Sequence, residues 1–276
     1  MLPAAPRVHT IPNGDVSLAF ETRGRGPRHL LFAHGWISSR RMFYDVIERL
    51  DPNAFTSHAF DFRGAGLSDR PEHGHDVPGY ASDLRAAIAH VGEPVTVVAH
   101  SMGGKIAQYV ALAPPENLER LILLAPGTSR ALPENPRHRA LALDSFGIRA
   151  HIERFQRGAM KREIPRDAMT RIVEDALIAS REAWFGWYDR GRGEDFFDRV
   201  GTIGLPTLVV AGELDPLVPP DRLRRDVAAA IPGAVYVLLR GVGHNIAIEM
   251  PDETAHTIER FTGAAEGYAS SGTRSG

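Results

Sequence analysis

Short apolar runs alternate with longer amphipathic stretches along most of this 276-residue chain, and that alternation narrows the available folds more than any other feature. The runs are Val16–Phe20, His29–Ala33, Thr56–Phe60, Val95–Ala99, Leu121–Ala125, Thr207–Ala211 and Ala234–Leu239. Several are rich in β-branched residues and end at Gly, Pro, Asp or Ser, as buried strands do. Between them the apolar positions shift to helical spacing. Leu84, Ile88 and Val91 fall at i, i+4 and i+7, and Met42, Phe43, Val46, Ile47 and Leu50 form a similar stripe. Strands and helices in alternation predict an α/β fold with a mostly parallel, twisted sheet flanked by helices. The leading strands depart from this pattern: the turn sequence Asn13-Gly14-Asp15 between them predicts an antiparallel hairpin.

The alternation stops after Ala125. From Ser129 to Arg199 no strand-like run occurs, only helical patterns broken at Pro133, Pro136, Gly147, Gly158 and Pro165. This stretch carries 14 basic and 12 acidic residues in 71 positions, nearly twice the charge density of the rest, as a small surface-mounted helical unit requires. The chain therefore divides into a first core segment over 1–128, a helical cap inserted over 129–199, a second core segment over 200–263, and a Gly/Ala/Ser-rich tail over 264–276 that is expected to fray. No internal repeat is present.

Composition excludes several classes. Hydrophobic residues make up 43% and charged residues 24%, ordinary globular usage that rules out a disordered or collagen-like chain. There is no cysteine, hence no disulfide, thiolate metal site or cysteine nucleophile. A net charge of −2 argues against a nucleic-acid partner or an anionic membrane surface. Thirty of the 32 basic residues are arginines, the exceptions being Lys105 and Lys161, which reads as the mark of a GC-rich bacterial genome. No apolar run approaches the ~20 residues that span a bilayer, and Met1 to Arg7 do not resemble the start of a secretory signal. A cytoplasmic location is the expectation; the oligomeric state is not legible.

The stretch from Val97 to Ile106 carries the chemistry. Ala99-His100-Ser101-Met102-Gly103 follows a predicted strand and opens a predicted helix, with small residues flanking a central serine. A strand turning sharply into a helix leaves room only for small neighbours and forces the central residue into strained geometry with its hydroxyl exposed. The Met102 amide then sits at a helix N-terminus, where negative charge is favoured. The same residues are a near miss to a phosphate-binding loop, but Ala99 replaces the turning glycine and Ile106 has no hydroxyl for magnesium. Nucleotide binding is not expected there.

A serine hydroxyl needs a base, and the base needs an orienting carboxylate. Among 12 histidines, His244 is singled out by its glycine-lined loop after the last predicted strand. Asp215, after the preceding strand and before Pro216, is the candidate acid; Glu213 competes with it. Both lie past strand C-terminal ends, where open α/β sheets build their sites. The order Ser101, Asp215, His244 is that of an α/β-hydrolase triad. Charge developing on a tetrahedral intermediate needs two donors. The backbone N–H of Trp36, in the loop after His29–Ala33, is the expected partner of the Met102 N–H in an oxyanion hole, with His34 bracing that loop.

Together, His34-Gly35-Trp36, Asp61-x-Arg63-Gly64-x-Gly66-x-Ser68, Ala99-x-Ser101-x-Gly103, Gly212-x-x-Asp215 and Gly243-His244 resemble the α/β-hydrolase superfamily, in its capped bacterial esterase-like branch. The resemblance covers nearly the whole chain. It implies the α/β-hydrolase fold with a cap, a serine hydrolase with Ser101 as nucleophile, His244 as base and Asp215 as orienter, and no cofactor or metal. Asp61–Ser68 is similar to that family's structural loop. A serine at the elbow departs from the aspartate of haloalkane dehalogenases and epoxide hydrolases. Carbon–carbon bond hydrolases keep serine but usually carry a tryptophan after the histidine, where Asn245 stands.

Trp184, Trp187 and Tyr188 fall at i, i+3 and i+4, so one helix face either roofs a substrate pocket or packs the cap onto the core. His73, His75 and Asp76 lack further ligands at metal spacing, so no metal site is expected. The reading is a serine hydrolase of small-to-medium apolar or aromatic carboxylic esters, acting through an acyl-enzyme on a small-molecule substrate. A carbon–carbon bond or lactone hydrolase on the same residues is the alternative, and a binding protein with little turnover a more distant one.

Overall fold

A computed structural model describes residues 8–132 and 136–263. The Pro133 break, the tail over 264–276 and the reading of Met1 to Arg7 lie outside the described residues. Eight strands form one sheet in the order β1-β2-β4-β3-β5-β6-β7-β8. They are β1 (Val8–Asn13), β2 (Val16–Gly24), β3 (Arg28–Ala33), β4 (Phe55–Phe60), β5 (Val95–His100), β6 (Leu118–Leu124), β7 (Thr207–Gly212) and β8 (Val235–Leu239). Strands β3 to β8 pair in parallel. Strands β1 and β2 form the antiparallel hairpin that Asn13-Gly14-Asp15 predicts, with Asn13 opposite Val16.

Period-two alternation divides each central strand between two cores. Leu31 and Ala33 of β3, and Val97 and Ala99 of β5, face one side of the sheet. There they meet α2 (Val77–Val91) and α3 (Met102–Ala111), which supply Leu84, Ile88, Ile106 and Val110. Leu30, Phe32 and Val98 face the other side. Strands β4, β5 and β7 are buried at every position; β5 and β7 are mostly apolar, while β4 also buries Thr56, Ser57 and His58. The Met42–Leu50 stripe is buried as expected but is not one helix. A 3-10 turn over Arg40–Phe43 leads into a single α-helical turn, α1 (Tyr44–Ile47). Ser39 caps that 3-10 turn by accepting from the Arg41 N–H, and buried Asp61 accepts from the Arg40 N–H at 2.7 Å. Asp61 also accepts from the Leu67 N–H at 2.9 Å and pairs with the Arg40 guanidinium, so it ties down the loop after β4.

Between β6 and β7 the described residues form helices α4 (Pro136–Leu143), α5 (Arg149–Ala159), α6 (Arg166–Leu177) and α7 (Arg181–Gly186), then a π-helical turn over Trp187–Gly191 and a 3-10 turn over Phe197–Thr202. The second half of the sheet adds α8 (Pro220–Leu223), α9 (Ile246–Glu249) and α10 (Pro251–Phe261). Among the described residues no helix is long and apolar enough to cross a membrane.

Side chains of the sheet side tie down the α4–α7 segment. Ser39 Oγ donates to Asp175 Oδ2 of α6 at 2.7 Å, and Trp36 Nε1 donates to the Trp184 carbonyl at 3.0 Å. Lys105 of α3 is fully buried and donates to the carbonyls of Glu194 (2.6 Å), Arg192 (3.3 Å) and Arg130 (3.5 Å), at both ends of the segment. Among the described residues its ammonium has carbonyl oxygens and no carboxylate for hydrogen-bond partners, and burial lowers its pKa from 10.5 to about 8. Between those values the unfolded chain holds this proton and the folded chain does not, so this residue's contribution to stability rises with pH. In denaturant titrations the wild type should gain on Lys105→Met by up to about 3 kcal/mol between pH 8 and 10.5. Stability curves that stay parallel across that window would contradict it.

Candidate functional site

The order β4-β3-β5 makes β3 a topological switch point: β4 follows β3 on one side and β5 returns on the other. The chain leaves β3 and β5 in opposite directions, opening a crevice beyond their C-terminal ends. Ala33 and Ala99 are paired across that opening, which brings His34-Gly35-Trp36 beside His100-Ser101-Met102.

Ser101 joins β5 to α3 with φ 50° and ψ −114°, a conformation that side-chain-bearing residues rarely adopt. The flanking small residues are required by contact. A Cβ on Gly103 would lie 2.5 Å from the Ala33 carbonyl oxygen and 2.6 Å from that of His34. A Cβ on Gly35 would lie 2.8 Å from His100 Nδ1. The Ser101 carbonyl accepts from the Gly127 N–H at 2.7 Å, which ties the elbow to the loop after β6.

Ser101, His244 and Asp215 come together from three different strand ends. His244 Nε2 lies 2.9 Å from Ser101 Oγ, and His244 Nδ1 lies 2.7 Å from Asp215 Oδ2. The other Asp215 oxygen accepts from the N–H groups of Leu217 (2.8 Å) and Val218 (3.0 Å). Asp215 is thus an acceptor on both oxygens. Nδ1 of His244 must carry the proton, leaving Nε2 to accept from the serine hydroxyl. Glu213, the rival acid, accepts instead from the Gly241 N–H at 2.9 Å and lies 3.9 Å from Arg240.

The loop holding His244 depends on two residues that sequence reasoning missed. Buried Glu249 accepts four backbone N–H groups, those of Lys161 (2.7 Å), Arg162 (3.0 Å), Gly243 (3.0 Å) and Asn245 (3.1 Å). It staples the loop to the end of α5. His100 Nε2 donates to the His244 carbonyl at 3.0 Å. Burial, with His244 nearby, pushes the His100 pKa down to about 3, so the ring is a neutral strut. His34 braces its loop as expected. Its Nε2 accepts from the Phe62 N–H at 3.0 Å, and burial lowers its pKa.

Ser101 and His244 open onto a cavity of about 100 Å³. Its walls are mostly apolar and include Trp36, Met102, Phe155, Ile172, Trp187 and Tyr188. The expected aromatic face is split. Trp187 and Tyr188 line the cavity, but Trp184 does not. Trp184 is buried behind Trp36, ring centroids 5.2 Å apart, with its Nε1 donating to the Ala142 carbonyl at 3.0 Å. Trp184 and Tyr188 both pack against Trp36, but Trp184 lies one turn earlier, where the rings of Trp36 and Phe146 cover it, while Trp187 and Tyr188 border the cavity. Asn245 and Gln156 also line the wall and are bonded to each other at 3.1 Å. His75 bonds Tyr80 and the Pro71 carbonyl, and Asp76 caps α2, so both serve local structure; among the described residues no group of three or more acidic or histidine side chains could hold a metal.

Comparisons with known proteins bear on the fold and the family. The chain is 27% identical to the AB hydrolase superfamily protein YisY of Bacillus subtilis over 267 residues, covering 90% of this chain and 96% of that one. It is 26% identical to non-heme chloroperoxidase CPO-A1 of Kitasatospora aureofaciens over 254 residues, covering 86% and 92%. Among solved structures it is similar to an esterase from Exiguobacterium antarcticum, with a TM-score of 0.84 at 23% identity, covering 91% of this chain and 98% of that one. These relatives bear different activities, so the bond acted on has to be argued from the site. A profile described as the alpha/beta hydrolase family matches residues 30–257, most of the chain, and the chain therefore belongs to the alpha/beta hydrolase family.

Proposed function

We propose that the protein is a serine hydrolase of carboxylic esters that works through an acyl-enzyme. The observation that carries this is the unbroken hydrogen-bonded line from Asp215 through His244 to Ser101, at 2.7 and 2.9 Å, opening onto a mostly apolar cavity. Ser101 Oγ attacks the ester carbonyl carbon while His244 Nε2 takes its proton. His244 then gives that proton to the departing alkoxide, which leaves as the alcohol. Asp215 holds the imidazole in the required tautomer and stabilises its charged form. A water deprotonated by His244 attacks the acyl-enzyme and releases the acid. The backbone N–H groups of Trp36 and Met102, both in residues bordering the cavity, are the oxyanion donors; the Met102 amide opens α3, where the helix dipole adds to the attraction.

In this reading residues 129–199 are a helical cap over a core formed by 1–128 and 200–263. Phe155, Ile172, Trp187 and Tyr188 are among its contributions to the substrate wall. Those aromatic and aliphatic walls favour apolar or aromatic esters of small to medium size over sugars or peptides. A lactone is a cyclic ester and is opened by the same steps.

In purified, folded protein, Ser101→Ala or His244→Ala should lower turnover of nitrophenyl esters by about 10⁴-fold or more, and Asp215→Asn by about 10⁴-fold. Glu213→Gln should keep most of the activity. A Glu213 variant as impaired as the Asp215 variant would move the acid. Among acyl lengths, acetate to hexanoate should be preferred over dodecanoate; an optimum at the longest chain would contradict the enclosed pocket.

A further inference from the structure

Among the described residues lining the Ser101 cavity there is no carboxylate, and one side chain with a permanent charge, Arg192. His100 is held neutral by burial. Arg192 is half-buried, directly after the π-helical turn, and its guanidinium carbon lies 4.4 Å from the centroid of the Tyr188 ring, which also borders the cavity. Its backbone is fixed on both sides: the N–H donates to the Trp187 carbonyl at 2.9 Å, and the carbonyl accepts from Leu132 and Lys105. Its side chain, by contrast, has no acidic partner among the described residues. The nearby acids are engaged elsewhere. Asp189 pairs with Arg139 at 2.5 Å, and Asp195 accepts from the N–H groups of Ala131 and Phe197. A guanidinium over an aromatic ring, bordering an apolar cavity and without an acidic partner among the described residues, is prepared for a planar anion that arrives with the ligand.

We propose that Arg192 is a specificity-determining residue that binds a carboxylate carried by the substrate, so that the preferred substrates are esters or lactones bearing a free acid group remote from the scissile bond. This rests on the serine-hydrolase reading for the reaction but not for the binding. The carboxylate pairs with the guanidinium in a low-dielectric wall, the apolar linker lies along Trp187 and Tyr188, and the ester carbonyl reaches Ser101. Asn245 and Gln156 are bonded to each other and carry no charge, so Arg192 is the cationic partner on this wall.

The test compares mono-nitrophenyl esters of succinate, glutarate and adipate with the corresponding methyl-capped diesters. At the best-fitting length the acid should exceed its capped analogue at least tenfold in kcat/KM. Arg192→Gln should abolish that preference while leaving the capped esters within about threefold, and Arg192→Lys should restore part of it. No preference in the wild type, or a preference that survives Arg192→Gln, would overturn the proposal. A second arm is independent of turnover: calorimetric titration of Ser101→Ala with glutarate or adipate, with and without Arg192→Gln. Binding that needs Arg192 supports the subsite even if no ester is hydrolysed, an outcome that would sink the esterase reading alone. No binding, or binding indifferent to Arg192, removes the subsite.

Discussion

The ends of β3 and β5 approach one another more closely than side chains allow, and the rest of the site depends on that approach. Gly103 faces the carbonyls of Ala33 and His34, and Gly35 faces His100, at distances that leave no space for a Cβ. The two loops leave this contact in opposite directions, so the crevice between them is open on its outer side. Ser101 is held at φ 50° because the chain has to turn from a buried strand into α3 within one residue. The strain at Ser101, about 1–3 kcal/mol for such a conformation, is offset by the packing of β5 and α3 into one core.

A bent serine is useful only with a base at a fixed height above it. His244 sits on a loop near the sheet edge, since β8 is the last strand, and edge loops are free to move unless they are tied. Here the ties are internal hydrogen bonds between side chains and backbone. Glu249 gathers four amides around the loop, His100 supports the His244 carbonyl, and Asp215 is fixed by two amides of its own. The loop is also bonded to the α4–α7 segment through the His244 N–H, which donates to the Ala159 carbonyl at 2.9 Å. The proposed base and the proposed cap are therefore mechanically one piece.

Much of this was legible in the residues. The strands announced themselves because both faces of the sheet are covered, making β5 and β7 mostly apolar, β-branched runs. The hairpin followed from Asn13-Gly14-Asp15, and the serine, acid and histidine from their places after strands. Other features were hidden for physical reasons. Glu249 lies in a short helix and looks like any surface carboxylate; only folding brings four amides to it. Nothing local distinguishes His100 from other histidines before its burial is known. Helical spacing put Trp184, Trp187 and Tyr188 on one face but could not say which would roof a pocket and which would pack; Trp184 packs behind Trp36, and the other two border the cavity. The Met42–Leu50 stripe is two short turns, and Ser39 and Asp61 cap the start of the first by accepting the Arg41 and Arg40 N–H groups, contacts that only folding brings together.

The central claim is that Ser101 is a nucleophile activated by His244. Its most direct measurement is mass spectrometry of the intact and digested protein after treatment with a fluorophosphonate, which reacts only with activated serines. The account predicts one adduct, on the peptide containing Ser101, absent in Ser101→Ala and formed far more slowly in His244→Ala. A folded protein that takes no adduct, or takes it on another serine, would contradict it.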